Sequence, residues 1–273
     1  QHFSDLVRIA GLSHGTDVWL GNAQTLLQEK KATISTAICT RDDIMVYLIS
    51  KGIEKGLSFK IMEAVRKGKG LQPEWEQTMV EHDVPDWYIW SCKKIKYMFP
   101  KAHAAAYVTS AFRIAWYKVH MPVYFYASWL TSKATDVDVD VMIKGYDAIK
   151  AKIIEIQNKG FEATNKELGQ LESLKVCLEA AARGISFAPI DLYKSNATVW
   201  GVKDETTIYP PFSSIDGLGD TVAVKIVQER QKGEFISIED LQIRAKISQT
   251  LIDKMRLMGI LNDMPESSQL SLF

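Results

Sequence analysis

The sequence predicts a mainly α protein carrying one small α+β segment. Three observations predict it. Apolar residues recur at helical spacing through most of residues 1–160 and again through 168–183 and 215–258. Short β-type runs occur at 197–202 and 206–209, separated by Lys203-Asp204-Glu205, and read as a small hairpin. Gly160, Gly184 and Pro210-Pro211 punctuate the chain where its character changes.

Taken in order, residues 1–35 read as loop plus a short helix. Ser13, His14 and Gly15 sit there in a polar stretch between Gly11 and Asp17. Thr40 or Asp42 caps a helix through about Lys51, with Ile44, Met45, Leu48 and Ile49 as its apolar stripe. A helix over roughly 58–66 ends in Arg66-Lys67-Gly68-Lys69-Gly70. That basic end suits a phosphate, and a helix stop explains it equally well. Further helices are expected over 74–81, 86–98, 102–120, 124–133, 139–158 and 168–183.

Composition narrows the function classes little. Lysine plus arginine equals aspartate plus glutamate, 33 against 33, so net charge argues for neither nucleic acid nor a membrane. At 47% hydrophobic and 24% charged, the 273 residues suit a globular chain of one large or roughly two to three small domains. No apolar run approaches the roughly 20 residues of a membrane helix, so no membrane partner is expected, and no signal peptide is visible. The first residue is Gln1 and not Met, which leads us to expect a preceding portion. Cys39, Cys92 and Cys177 lie far apart without a Cys-x-x-Cys pair. Neither a zinc site nor a disulfide framework is expected, and a reducing, cytoplasmic compartment fits.

The charge balance hides a local asymmetry. Residues 87–120 contain no Asp or Glu, yet hold Lys93, Lys94, Lys96, Lys101, Arg113 and Lys118 among nine aromatic residues. Cations suit phosphates and rings offer stacking faces for bases. The plainer reading is that Tyr107, Val108, Ala111, Phe112, Ala115, Trp116 and Val119, at helical spacing, are mostly core. The lysines before Pro100 face either a ligand or solvent.

Ile215-Asp216-Gly217-Leu218-Gly219 stands directly before a helix with Val222, Ala223, Ile226 and Val227 on one face. Two glycines permit a tight turn, and the turn exposes amides at a helix N-terminus. This resembles a helix-hairpin-helix motif, which holds a DNA phosphate without reading bases. Its DNA-contacting candidates are Gly217, Leu218, Gly219, Thr221 and Lys225. A degenerate second copy follows, with helices over 238–243 and 249–258 joined by Lys246-Ile247-Ser248. Lys246 and Ser248 either contact DNA, or this copy only packs against the first. Residues 212–261 are charge-balanced, so backbone amides would supply most of the grip.

The last residues are Gln269, Leu270, Ser271, Leu272 and Phe273. They read as a linear anchor whose Leu272 and Phe273 fill an apolar pocket on a partner, and they resemble the bacterial sliding-clamp-binding pentapeptide at each defining position. The alternative is that Leu272 and Phe273 fold back on their own domain.

Phe99-Pro100-Lys101-Ala102-His103-Ala104-Ala105-Ala106-Tyr107 resembles the fingers segment of bacterial C-family replicative DNA polymerases. Gly11-Leu12-Ser13-His14-Gly15-Thr16-Asp17-Val18-Trp19 and Arg41-Asp42-Asp43-Ile44-Met45 are similar to the PolC type in particular. The resemblance implies helical fingers over 1–160, a connector with a short β-hairpin over 161–211, a tandem helix-hairpin-helix region over 212–262 and a flexible clamp-binding tail over 263–273. It implies primer-template DNA, an incoming deoxynucleoside triphosphate (dNTP), the sliding clamp and other replisome subunits as partners. Nucleotide-site candidates are Arg41, Lys96 and Lys101 for phosphate charge, His103 for a hydrogen bond, Tyr97 and Phe99 beside the nascent base pair, and Ser13 and His14 lining the site. Mg²⁺ would be held by palm aspartates that this sequence lacks. Asp42-Asp43 reads instead as a helix cap, and Asp136, Asp138 and Asp140 as a connecting segment. No catalytic or metal-binding residue is therefore expected here, nor activity from this chain alone. The competing reading is a non-catalytic accessory protein that binds DNA and the clamp.

Overall fold

The computed structural model describes residues 2–134 and 136–267. Fourteen α-helices and a three-stranded sheet occur among them. The pentapeptide at 269–273 lies outside the described residues.

The first compact unit comprises α1 (Phe3–His14), a π-turn at Trp19–Ala23, α2 (Gln24–Gln28), α3 (Arg41–Ser50), α4 (Lys55–Arg66), α5 (Pro73–Glu81), α6 (Asp86–Lys94) and the start of α7 (Lys101–His120). Each start has a local cause. The Asp43 carboxylate accepts from the Thr40 amide at 2.9 Å, which caps α3. Glu54 accepts from Gly56 and Leu57 at 2.8 Å ahead of α4, and Pro73 opens α5. Ile44 and Leu48 of α3, Ile61 and Val65 of α4, and Met79, Tyr88, Cys92 and Met98 form one core. Burial pushes the Cys39 thiol up to about 11, helped by nearby Asp43, which leaves it unreactive.

Two expectations fail at α6 and α7. The helix expected over 86–98 stops at Lys94. Ile95 is extended, and the strand-like segment after it bridges Thr16, whose amide donates to the Tyr97 carbonyl at 2.9 Å. The apolar stripe of α7 is not core. Only Ala104 is buried on that helix, while Tyr107, Phe112, Trp116 and Val119 are 63%, 56%, 50% and 62% exposed. Periodicity reports that a face is apolar, not what covers it. Lys93 and Lys94 turn out to be structural: Lys93 pairs with Glu76 at 3.0 Å, and Lys94 sits 4.2 Å over the Trp90 ring.

The division between units falls inside α7, at Arg113/Ile114. The second unit continues through α8 (Pro122–Lys133), α9 (Val139–Met142), α10 (Tyr146–Lys159), α11 (Asn165–Ala182), β1 (Ser186–Phe187), β2 (Gly201–Val202), β3 (Thr207–Tyr209), α12 (Asp220–Gln231), α13 (Ile238–Ala245) and α14 (Gln249–Leu257). The helix expected over 139–158 is two helices, because Gly145 takes φ +86 between them. α11 starts earlier than the apolar pattern shows, capped by Thr164 with Glu167. The hairpin forms with Val202 opposite Ile208, but of the expected run 197–202 only Gly201–Val202 is strand. β1 adds in parallel to β3, a pairing no local pattern announces.

This unit holds two cores. Tyr126, Leu130, Ile149, Ile156, Leu174, Cys177 and Ile208 join α8, α10, α11 and the sheet. Phe212, Ile226, Leu241, Ile252 and Met255 join the hairpin helices.

Carboxylate pairing predicts acid sensitivity. Arg66 and Lys67 hold Glu63 down to about 2, Lys159 and the Thr164 amide do the same to Glu167, and Lys225 and Lys232 to Glu229. A folded-state value below the ordinary 4.5 adds stability that is complete above that value and lost as pH falls towards 2. The melting temperature is therefore expected to be flat from pH 7 to about 5 and to fall between about 4.5 and 2, less steeply in high salt because these pairs are partly exposed. Thermal melts across that range check it; a flat profile below pH 4 contradicts it.

Candidate nucleotide and DNA sites

The eight nucleotide-site candidates come from three separated stretches, and the backbone brings those stretches together. Lys96 and Tyr97 both donate from their amides to the Thr16 carbonyl, at 3.1 and 3.3 Å. That fixes Ser13 and His14, at the end of α1, beside segment 96–99. The Arg41 amide donates to the Phe99 carbonyl at 3.2 Å. The Lys101 amide donates to the Asp42 carboxylate at 2.6 Å. Asp43 therefore caps its own helix, and Asp42 caps α7.

Rings line this junction. Phe99 stacks on His103 at 4.9 Å, and His103 meets Tyr107 at 4.5 Å. Tyr97 and His14 approach Phe99 edge-on at 5.1 and 6.1 Å. Lys96, Tyr97, Lys101, Tyr107, Ser13 and His14 are exposed; Arg41, Phe99 and His103 are half-buried. The His14 ring nitrogen lies 2.8 Å from the Ala10 carbonyl and 2.9 Å from the Ser13 hydroxyl. His103 is neither a cap nor a core histidine, but one rung of a ring ladder.

A charge cluster stands beside it, local along α4 except for its link to Arg41. Glu63 pairs with Arg41 at 3.6 Å, with Lys67 at 2.9 Å and, through two bonds, with Arg66. The basic turn 66–70 touches the candidate segment directly. The Met98 amide donates to the Arg66 carbonyl at 3.2 Å, and a Cβ on Gly68 would lie 2.6 Å from the Lys96 carbonyl oxygen. Glycine is required there by that approach and by its φ of +69. The helix-stop reading of this turn is the one its geometry matches.

In the second unit, the first hairpin is shorter than its sequence implies. Its first helix is a single 3₁₀ turn, Phe212–Ser214. Leu218 donates to Ile215 at 2.9 Å, Gly217 turns with φ +85, and Gly219 caps α12. Ile215 and Leu218 are buried and anchor the loop. The first amides of α12 have no acceptor within their own helix, as at any helix start. The second hairpin turns without glycine: Lys246 adopts the left-handed conformation at φ 55, ψ 47. The Ser248 hydroxyl accepts from the Leu251 amide at 3.4 Å and so caps α14. Thr221, Lys225, Gln228 and Lys246 line one cleft of about 630 Å³. Lys225 also pairs with Glu229 at 2.8 Å.

A helical first unit and a pair of helical hairpins are the features that two comparisons with known proteins match. Residues 1–83 match the bacterial DNA polymerase III alpha subunit finger domain, and residues 184–270 match the helix-hairpin-helix motif. The chain is 56% identical over 271 residues to a DNA polymerase III PolC-type of Halalkalibacterium halodurans, covering 99% of this chain and 19% of that protein. It is 55% identical to that of Bacillus subtilis over the same shares. It is 52% identical over 279 residues to that of Lactococcus lactis, covering 100% of this chain and 17% of that protein. The chain belongs to the PolC-type DNA polymerase III family. It spans about a fifth of the length of these curated relatives.

Proposed function

We propose that this chain is the C-terminal part of a PolC-type replicative polymerase and serves DNA-templated DNA synthesis through three regions. The fingers, 1–160, bind the incoming dNTP and the template. The hairpins at 212–262, joined to the fingers by a connector over 161–211, hold duplex phosphates. The tail over 263–273 binds the sliding clamp through 269–273. Primer-template DNA and other replisome subunits complete the partners, in the cytoplasm.

One observation carries the nucleotide assignment: the three stretches that hold Ser13 and His14, Arg41, and Lys96, Tyr97, Phe99, Lys101 and His103 are tied together by the Thr16 carbonyl, by the Arg41 amide on the Phe99 carbonyl and by the Asp42 carboxylate on the Lys101 amide. Arg41, Lys96 and Lys101 supply positive charge for a triphosphate, and the ladder of Tyr97, Phe99, His103 and Tyr107 supplies flat faces for a base pair. Mg²⁺ in such polymerases assists attack of the primer 3′-OH. Among the described residues no group of three or more His, Cys, Asp or Glu side chains could hold a metal ion. No described helix is long and apolar enough to cross a membrane.

Kinetics test the assignment. In a PolC-type polymerase containing this sequence, Arg41→Ala and Lys101→Ala are each expected to raise the KM for dNTP about tenfold, the loss of one charge-assisted contact. An unchanged KM in both variants refutes the site. This chain alone, given Mg²⁺, dNTPs and primer-template, is expected to extend no primer.

A further inference from the structure

The loop of the first hairpin is held by the second. Lys254, on α14, donates from its ammonium to the Asp216 main-chain carbonyl at 2.8 Å and to the Asp216 carboxylate at 3.3 Å. Asp216 immediately precedes Gly217, and a Cβ on Gly217 would lie 3.7 Å from the Lys254 ammonium. Lys166, on α11, takes the other carboxylate oxygen at 2.7 Å. Lys166 and then Lys254 hold the Asp216 carboxyl below its ordinary value.

Lys254 is a poor phosphate ligand despite its charge. The cleft beside it, about 330 Å³, is lined by Asp138, Asp140 and Asp216 as well as by Lys166 and Lys254. Those carboxylates oppose a phosphate there. Both lysines already have an anionic partner in Asp216. The open approach is elsewhere, in front of Gly219, where an added Cβ would meet nothing within 4 Å.

We propose that Lys254 is a positioning residue: by fixing the Asp216 carbonyl it orients the turn at Gly217 and aims the first amides of α12 at a DNA phosphate. This gives the degenerate second hairpin a function beyond packing. Its α14 carries the cation that sets the first loop, whether or not Lys246 and Ser248 touch DNA. The inference rests on the reading of the first hairpin as a phosphate holder.

The test measures duplex affinity of this chain against salt concentration, with melting temperatures alongside. Lys254→Met is expected to weaken binding about tenfold, the loss of a charged hydrogen bond that organises the site, while the slope of log affinity against log salt stays unchanged. Lys254→Arg retains N–H donors and is expected to bind within about threefold of wild type. Unchanged affinity in Lys254→Met overturns the proposal. So does a slope shallower by about 0.9, which would make Lys254 a phosphate ligand. If Lys254→Met does not fold, Lys254→Gln decides by the same two readings: weaker binding at constant slope supports the role, and either other result overturns it. Gly219→Val, bound as tightly as wild type, would defeat the phosphate-loop reading itself, independently of Lys254.

Discussion

Gly217→Val is expected to lower both the melting temperature of the chain and its affinity for duplex DNA, whereas Gly219→Val lowers affinity alone. The sequence treats the two glycines as a pair, but their backbones differ. Gly217 has φ +85, a region that a β-branched residue enters only under strain. Valine there costs roughly 2 kcal/mol of folding stability, and relief of that strain rotates the amides that would meet the phosphate. Gly219 has φ −75 and ψ 159, which any residue adopts, and a Cβ would meet no atom within 4 Å. Its glycine is not demanded by folding. The space a side chain would fill is the space through which a phosphate reaches the start of α12. Valine at 219 is therefore expected to leave the melting curve in place and to weaken duplex binding about tenfold or more, the scale of one charge-assisted contact. The loss should be equal for unrelated duplex sequences, because backbone amides read no bases. Binding titrations on two or more sequences check this. A loss confined to one sequence points to base readout, and a stability loss at Gly219 equal to that at Gly217 removes the distinction.

What was legible, and what was not, follows from the range of each interaction. The start of α3, near Thr40 and Asp42, could be read because its cap lies within one turn of chain. The end of α6 could not, because Ile95 is extended by the pairing of Thr16 with Tyr97 across the fold. The exposed face of α7 was misread for another reason: apolar spacing is the same for a ring that packs inward and a ring that stays exposed. At the candidate sites, side-chain chemistry within the resembling motifs put forward Arg41, Lys101 and His103 as candidates, but not the carboxylate that gathers Arg41, Arg66 and Lys67. The pairs of Glu63 with Arg66 and Lys67 lie at i+3 and i+4 along α4 and are local. Its pair with Arg41 exists only once α3 and α4 pack, and the same holds for Asp216, whose partners come from α11 and α14. Those cross-element links are tertiary.

Deleting residues 269–273 is expected to abolish retention of the chain by a sliding clamp and to leave folding and duplex affinity unchanged. The separation follows from which described residues cap α13. The Ile238 amide donates to the Pro265 carbonyl at 2.9 Å, and the Glu239 amide donates to the Glu266 carbonyl at 3.1 Å. These are first-turn amides of α13, which otherwise lack acceptors within their own helix. The Ser267 hydroxyl donates to the Glu239 carboxylate at 2.9 Å, Glu266 pairs with Arg256, and Met264 packs on the core. Residues 264–267 thus cap α13, and a deletion beginning at 264 is expected to cost roughly 1–2 kcal/mol and lower the melting temperature. The shorter deletion keeps every one of these contacts. It removes only Gln269, Leu270, Ser271, Leu272 and Phe273, in which Leu272 and Phe273 supply most of the apolar area a partner pocket could bury. Because Gln269 follows two residues after Ser267, a clamp held there would be tethered close to the duplex-binding hairpins, at high effective concentration. Pull-down of both deletions with a purified clamp, with melting curves in parallel, separates anchor from cap. Retention of the shorter deletion at the wild-type level would mean that the clamp is held by some other surface of the chain.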